Sequence, residues 1–150
     1  MQQYSLSLSD QDDKLIHQGI IAPLRAYNQS QAVPSEHRPL VIAIRDKDEQ
    51  VIGGLWGHTH FDWLFTELLV VPESLRGQGI GTALIKQAEQ EAILRGCHGA
   101  WLDTFEFQAR GFYEQLGYSC FGELADYPKG FARFFMQKRL VSSTPPEKNL

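Results

Sequence analysis

The segment WLFTELLVV, residues 63–71, constrains the fold more than any other stretch of this chain. A strand with one wet face alternates apolar and polar residues. This run is instead apolar on both alternating faces, the pattern of an interior strand covered by helices on two sides. Pro72 ends it. A glycine-rich string follows, Arg76-Gly77-Gln78-Gly79-Ile80-Gly81-Thr82. From Ile80 onward, Leu84, Ala88 and Ala92 recur at i, i+4 spacing, which predicts a helix with one apolar stripe. Arg95 and Gly96 supply its stop signals. A covered strand running through a glycine turn into a packed helix requires a layered α/β architecture.

The flanking segments fit such layers. Tyr4, Leu6 and Leu8 alternate with serines, the period of a half-buried strand. Asp10 is placed to cap a helix carrying Leu15, Ile16, Ile20, Ile21 and Leu24, with a kink or break expected near Pro23 because Gly19 and Pro23 weaken it. Residues 29–39 are polar with two prolines and read as a loop. LVIAI at 40–44 and VIGGLWG at 51–57, joined by a polar turn, read as a hairpin. AWLDTF at 100–105 reads as a strand, 109–116 as a short helix stopped by Gly117, and 118–124 with 131–136 as a final hairpin. The expected order is β-α-β-β-β-α-β-α-β-β, an α/β (α+β) mixed sheet with helices on both faces. Residues 1–140 read as one domain and 141–150 as a frayed tail.

Composition excludes several classes. A chain of 150 residues is one domain in size, too short for two. It can bury roughly two-thirds of its unfolded surface, so neither disulfide nor metal is required for stability. With 43% hydrophobic, 11% aromatic and 21% charged residues it is not disordered, collagen-like or a coiled coil. A net charge of −4 and a pI near 5.7 argue against a nucleic-acid surface. Cys97 and Cys120 form no spaced motif. No run approaches the length of a membrane span, and the first residues show no basic region followed by an apolar one, so a cytoplasmic protein is expected.

The glycine string carries the chemistry. Glycines at 77, 79 and 81 allow backbone conformations closed to other residues and let a ligand approach the main chain. The first-turn N–H groups of the following helix then converge on one spot with the positive dipole end behind them, and Arg76 adds a cation. That combination is a pyrophosphate site. A nucleotide-triphosphate loop would need a lysine after the last glycine, and a dinucleotide fingerprint would need glycine where Thr82 stands. A third reading is that the glycines only make a tight turn.

The string Val70-Val71-Pro72, then Leu75-Arg76-Gly77-Gln78-Gly79-Ile80-Gly81, resembles motif A of the GNAT superfamily of acetyl-CoA-dependent N-acetyltransferases. Ala109 followed by Phe112-Tyr113-Glu114-Gln115-Leu116-Gly117-Tyr118 resembles its motif B, in the right order and at the right distance. The resemblance spans roughly residues 40–140. It implies a mixed, mostly antiparallel sheet of six to seven strands. It also implies that the coenzyme A pyrophosphate rests on the main chain of Arg76, Gly77, Gln78, Gly79, Ile80, Gly81 and Thr82. Two strands would splay near Leu69, Val70 and Val71, whose backbone would pair with the pantetheine arm. Many family members have an asparagine seven residues before the motif B tyrosine. Glu106 stands there, and Gln108 is placed to replace its contact with the cofactor.

Aminolysis of a thioester needs an amine without its extra proton, donors for the oxyanion and a proton for the departing thiolate. The resemblance makes Tyr113 the acid, although the same side chain could simply pack beside Ala109 and Leu116. Glu67 is the candidate base. Strand alternation places it with Trp63, Phe65, Leu69 and Val71, and burial there would raise a carboxylate towards the useful range. It also stands nine positions before the arginine, as in polyamine-type members of the family. The alternative is a solvated or arginine-paired glutamate. The oxyanion donor is expected to be the backbone N–H of Val70.

His58, His60 and Asp62 alternate just before the central strand. Two histidines and one carboxylate are too weak a pattern for a metal, so they read as the acceptor end of the cleft or as a polar loop. Asp103 and Glu106 either add negative potential there or are exposed loop carboxylates. The expected function is direct acetyl transfer from acetyl-CoA, through a ternary complex and without a metal, to a primary amine of a small molecule. A homodimer is allowed, and nucleic acid and membrane are not expected partners. The competing readings are a protein acetyltransferase, disfavoured by the aromatic-rich segment 56–65, and a non-catalytic acetyl-CoA-binding module.

Overall fold

In the computed structural model, residues 3–141 are described, so the tail expected at 141–150 lies outside them except for Val141. Contacts divide the chain into two units, Met1–Ser35 and Glu36–Leu150.

The first unit holds one helix, α1 (Lys14–Gln31). Its N-cap is Asp13 rather than Asp10. The Asp13 carboxylate accepts from the backbone N–H of Leu15 at 2.8 Å and of Ile16 at 3.3 Å, satisfying two first-turn donors. The helix runs through Pro23 without ending. The missing N–H removes a bond to Gly19, whose bare backbone tolerates the ring, and the turns on either side carry the helix onward. The strand expected over Tyr4, Leu6 and Leu8 is absent, because alternation makes a strand only when a neighbour pairs with it, and these side chains are exposed.

The second unit is a six-stranded mixed sheet flanked by helices. Its strands are β1 (Arg38–Arg45), β2 (Val51–His60), β3 (Trp63–Val70), β4 (Gly99–Phe105), β5 (Ser119–Leu124) and β6 (Arg133–Arg139), in spatial order β1-β2-β3-β4-β6-β5. Every pair is antiparallel except β3 with β4. A short 3-10 turn (Glu73–Leu75) and then α2 (Ile80–Leu94) follow β3, and α3 (Arg110–Gln115) joins β4 to β5. As the doubly apolar pattern requires, β3 is interior.

Two features of β3 create the site. It pairs with β4 only from Trp63↔Gly99 to Thr66↔Leu102; beyond that, β4 stays with β6 and β3 stays with β2. A wedge therefore opens between the two parallel strands. At the same point β3 carries a bulge. Trp56 faces Leu68 and Gly57 faces Thr66, which leaves Glu67 as the extra residue. The bulge needs Gly57, where a Cβ would lie 2.2 Å from the Phe65 carbonyl oxygen.

One face of the sheet packs on α2. Leu55, Leu64, Ile85, Leu102 and Met136 are the largest fully buried side chains. Arg95 pins the end of α2 to the sheet, donating to the Pro39 carbonyl at 3.0 Å and the Thr59 hydroxyl at 3.2 Å. Buried Glu89 of α2 accepts from Lys138 at 2.7 Å and from the Tyr118 hydroxyl at 3.1 Å. Among the described residues no helix is long and apolar enough to cross a membrane.

Candidate active site

The wedge between β3 and β4 continues into a cleft of about 720 Å³ that ends at the start of α2. Its anion end is built by backbone. Gly77 and Gly79 take φ of +78° and +75°, the left-handed region that glycine enters without strain. Gly79 is the N-cap of α2 and, having no side chain, makes no cap bond; the first main-chain bond closing the turn is Ala83 N–H to Gly79. The amides of Ile80, Gly81 and Thr82 thus face the cleft's end without a capping side chain. Arg76 lines the cleft and donates from Nε to the Val71 carbonyl at 3.2 Å, which braces the loop. Gly77, Gly79, Ile80, Gly81 and Thr82 line the cleft as well, while Gln78 does not.

Leu69, Val70 and Val71 form one wall. At the closed end of the wedge the hydroxyl of Thr66 is buried without a hydrogen-bond partner, a polar atom placed to meet a polar ligand group. Across the cleft stand Thr104 and Gln108. Gln108 Oε1 accepts from the Phe105 N–H at 2.9 Å and from the Thr104 hydroxyl at 3.2 Å, so its amide NH₂ is the end left for a ligand. Uncapped amides, an arginine, an unpaired strand edge and an orphaned hydroxyl fit a long ligand with phosphates at one end and amides along its length.

Tyr113 of α3 is buried and borders the same cleft. Burial first, and then the negative charge of Asp103, pushes its phenol up to about 12, so it is a protonated donor at neutral pH. Glu67 also lines the cleft, but it is exposed, and the apolar burial expected of it is absent. The bulge is the reason. Simple alternation would group Glu67 with Leu69 and Val71, whereas those two pack on the core and Glu67 is displaced from their face.

The acidic acceptor end takes a different form from the expected one. Asp103 lines the cleft, but its Oδ1 accepts from Arg133 Nε at 2.8 Å, which offsets its charge. Glu106 is a clamp: its carboxylate accepts from the Ala132 N–H at 2.8 Å while its own N–H donates to the Ala132 carbonyl. His58 and His60 lie on β2, which runs three residues past Gly57, and not in a loop. The two-residue turn Phe61-Asp62 that follows has φ of +47° and +62° without any glycine to announce it. Neither histidine lines the cleft. Among the described residues no group of histidine, cysteine and carboxylate side chains is arranged to hold a metal. Sequence reasoning missed Thr66, Thr104 and Phe112; the Phe112 ring lies where a Cβ on Gly81 would come within 3.2 Å.

This fold and cleft define an acyl-transfer scaffold, and the comparisons identify its family. Residues 9–118 match the Acetyltransferase (GNAT) family. The chain is 43% identical to an acetyltransferase of Agrobacterium fabrum over 88% of its own length and 96% of that protein's. It is 39% identical to blasticidin-S acetyltransferase of Streptomyces morookaense, over 70% and 80% respectively. A crystal structure described as an acetyltransferase, from Agrobacterium tumefaciens, superposes with a TM-score of 0.85 at 42% identity, covering 91% of this chain and 99% of that one. The chain belongs to the GNAT acetyltransferase family, and it is an enzyme of the acyltransferase class.

Proposed function

We propose that the protein transfers an acetyl group from acetyl-CoA directly to a primary amine of a small molecule in a ternary complex, as a cytoplasmic enzyme. The observation that carries this reading is the continuous cleft from the uncapped amides of α2, along the unpaired edge of β3, to Tyr113 and Glu67 at the wedge. A relative named for an antibiotic substrate, blasticidin-S acetyltransferase, supports a small-molecule acceptor.

Acetyl-CoA, when bound, supplies the thioester that the amine attacks. Arg76 and the main chain of Gly77, Gly79, Ile80, Gly81 and Thr82 would hold its pyrophosphate. The backbone of Leu69, Val70 and Val71 would pair with its amides, Gln108 NH₂ would add a contact, and the Val70 N–H would face the developing oxyanion. Tyr113 offers a proton to the departing sulfur. A phenol at about 12 holds its proton more tightly than an ordinary thiol near 8.5, so Tyr113 acts as a hydrogen-bond donor that steadies the thiolate. Glu67, at the mouth of the wedge, attracts the ammonium and takes its proton, directly or through water.

Calorimetric titration with acetyl-CoA tests the donor half. The reading expects one site per chain and a marked loss of affinity in Arg76→Ala; absence of binding would refute it.

A further inference from the structure

The clamp between Glu106 and Ala132 occupies both polar ends of residue 106. The carboxylate accepts from the Ala132 N–H at 2.8 Å, and the Glu106 N–H donates to the Ala132 carbonyl at 2.8 Å. Two residues on, Gln108 is folded back over a tight turn. Its N–H donates to the Phe105 carbonyl at 2.9 Å, and its Oε1 accepts from the Phe105 N–H at 2.9 Å. Main chain and side chain of Gln108 are thus both tied to Phe105, and the residue lines the cleft.

A glutamine amide has an acceptor at one end and two donors at the other, in nearly the same shape. Gln108 is also exposed, and an exposed glutamine samples many rotamers unless its neighbours hold one. Thr104 of β4 is such a neighbour. It is only 3% exposed and lines the same cleft. Its hydroxyl oxygen accepts from the Ala109 N–H at 3.5 Å, and the hydroxyl donates to Gln108 Oε1 at 3.2 Å. Ala109 is the residue from which α3 starts, and it has no side-chain cap bond of its own. Oε1 therefore receives two donors, from Phe105 and from Thr104. Reversing the amide would set its NH₂ against the Phe105 N–H, donor against donor.

We propose that Thr104 is a positioning residue for coenzyme binding, holding the Gln108 amide with its NH₂ towards the cleft, where that group donates to a carbonyl oxygen of the pantetheine arm. This rests on the acetyl-CoA reading above. Thr104 acts through Gln108. The strand fixes the hydroxyl, the turn fixes the glutamine backbone, and the amide is set in place before the ligand arrives, so less freedom is lost on binding. The pair also accounts for a coenzyme contact from this loop while Glu106 is held in its clamp.

The test is a double-mutant cycle read by calorimetric titration with acetyl-CoA. Thr104→Val removes the hydroxyl and keeps the branched shape. It should weaken binding about threefold to tenfold, the worth of one such hydrogen bond, and Gln108→Ala at least as much. The double variant should bind within about twofold of Gln108→Ala, because the hydroxyl acts only through that amide. Thr104→Ser, which keeps the hydroxyl, should bind within about twofold of wild type. A valine that merely loosened the fold would weaken binding alike in both backgrounds. Unchanged affinity in Thr104→Val, or losses that multiply in the double variant, would overturn the proposal. The side-chain amide resonances of Gln108 in wild type supply a readout that needs no Thr104 variant to fold. They should shift when acetyl-CoA is added, and unmoved resonances overturn the contact. Any of these failures in a protein that binds acetyl-CoA overturns the positioning role alone, whereas a wild type that binds none overturns the cofactor reading and this proposal with it.

Discussion

Tyr113 and Glu67 flank the same wedge with opposite surroundings. Tyr113 is enclosed and Glu67 is open, so the first keeps its proton and the second can exchange one with solvent. Tyr113→Phe should lower kcat by at least about tenfold while leaving acetyl-CoA affinity within about threefold, since only a transition-state donor is lost. Steady-state kinetics with parallel calorimetry separates the two quantities. Because burial and Asp103 move the phenol to about 12, wild type should show no Tyr113-dependent loss near pH 10, where an ordinary tyrosine ionises. A Tyr113-dependent fall there, absent in the phenylalanine variant, would contradict the assignment. The place of Tyr113 on a short helix was legible in the sequence, and that helix sets it beside the cleft. The exposure of Glu67 was not, since one unpaired residue reverses the alternation from which its face was read.

At the scale of elements, the loop between β3 and α2 is the part most fully specified by its residues. Gly79→Ala places a Cβ in open space, so its cost is the left-handed backbone alone, about 1–2 kcal/mol. The loop should relax away from φ +75°, and acetyl-CoA should bind up to about tenfold more weakly, a difference calorimetry resolves. Unchanged affinity would mean that this turn does not hold the ligand. The same segment shows what sequence reveals best: the interior strand, the glycine turn and the helix are consecutive, and local signals suffice. Elements that depend on distant partners were less legible. The alternation of Tyr4, Leu6 and Leu8 found no neighbouring strand, and β2 extends to His60 because β3 pairs with it that far. The wedge itself is a difference in pairing between β3 and β4, which no periodicity records.

For the whole molecule, the sheet and α2 are joined by a buried ionic contact as well as by apolar packing. Glu89 is held by Lys138 and the Tyr118 hydroxyl, and burial together with Glu89 raises the Tyr118 phenol. Lys138→Met removes the cation from a buried carboxylate and should destabilise the fold by about 2–3 kcal/mol, less than for a fully buried pair because Lys138 is partly exposed. Thermal unfolding should then begin roughly 5–10 °C lower. An unshifted transition would show that the pair contributes no net stability.

The reaction proposed for this enzyme is acetyl transfer from acetyl-CoA to a small primary amine. The most direct measurement is thiol release at saturating acetyl-CoA across a panel of such amines, with the acetylated product quantified by mass spectrometry in the same samples. Thiol release should depend on the amine, be matched one for one by N-acetylated amine, and fall markedly in Tyr113→Phe. Thiol release no faster with any amine than without one, from a protein that binds acetyl-CoA, would contradict it.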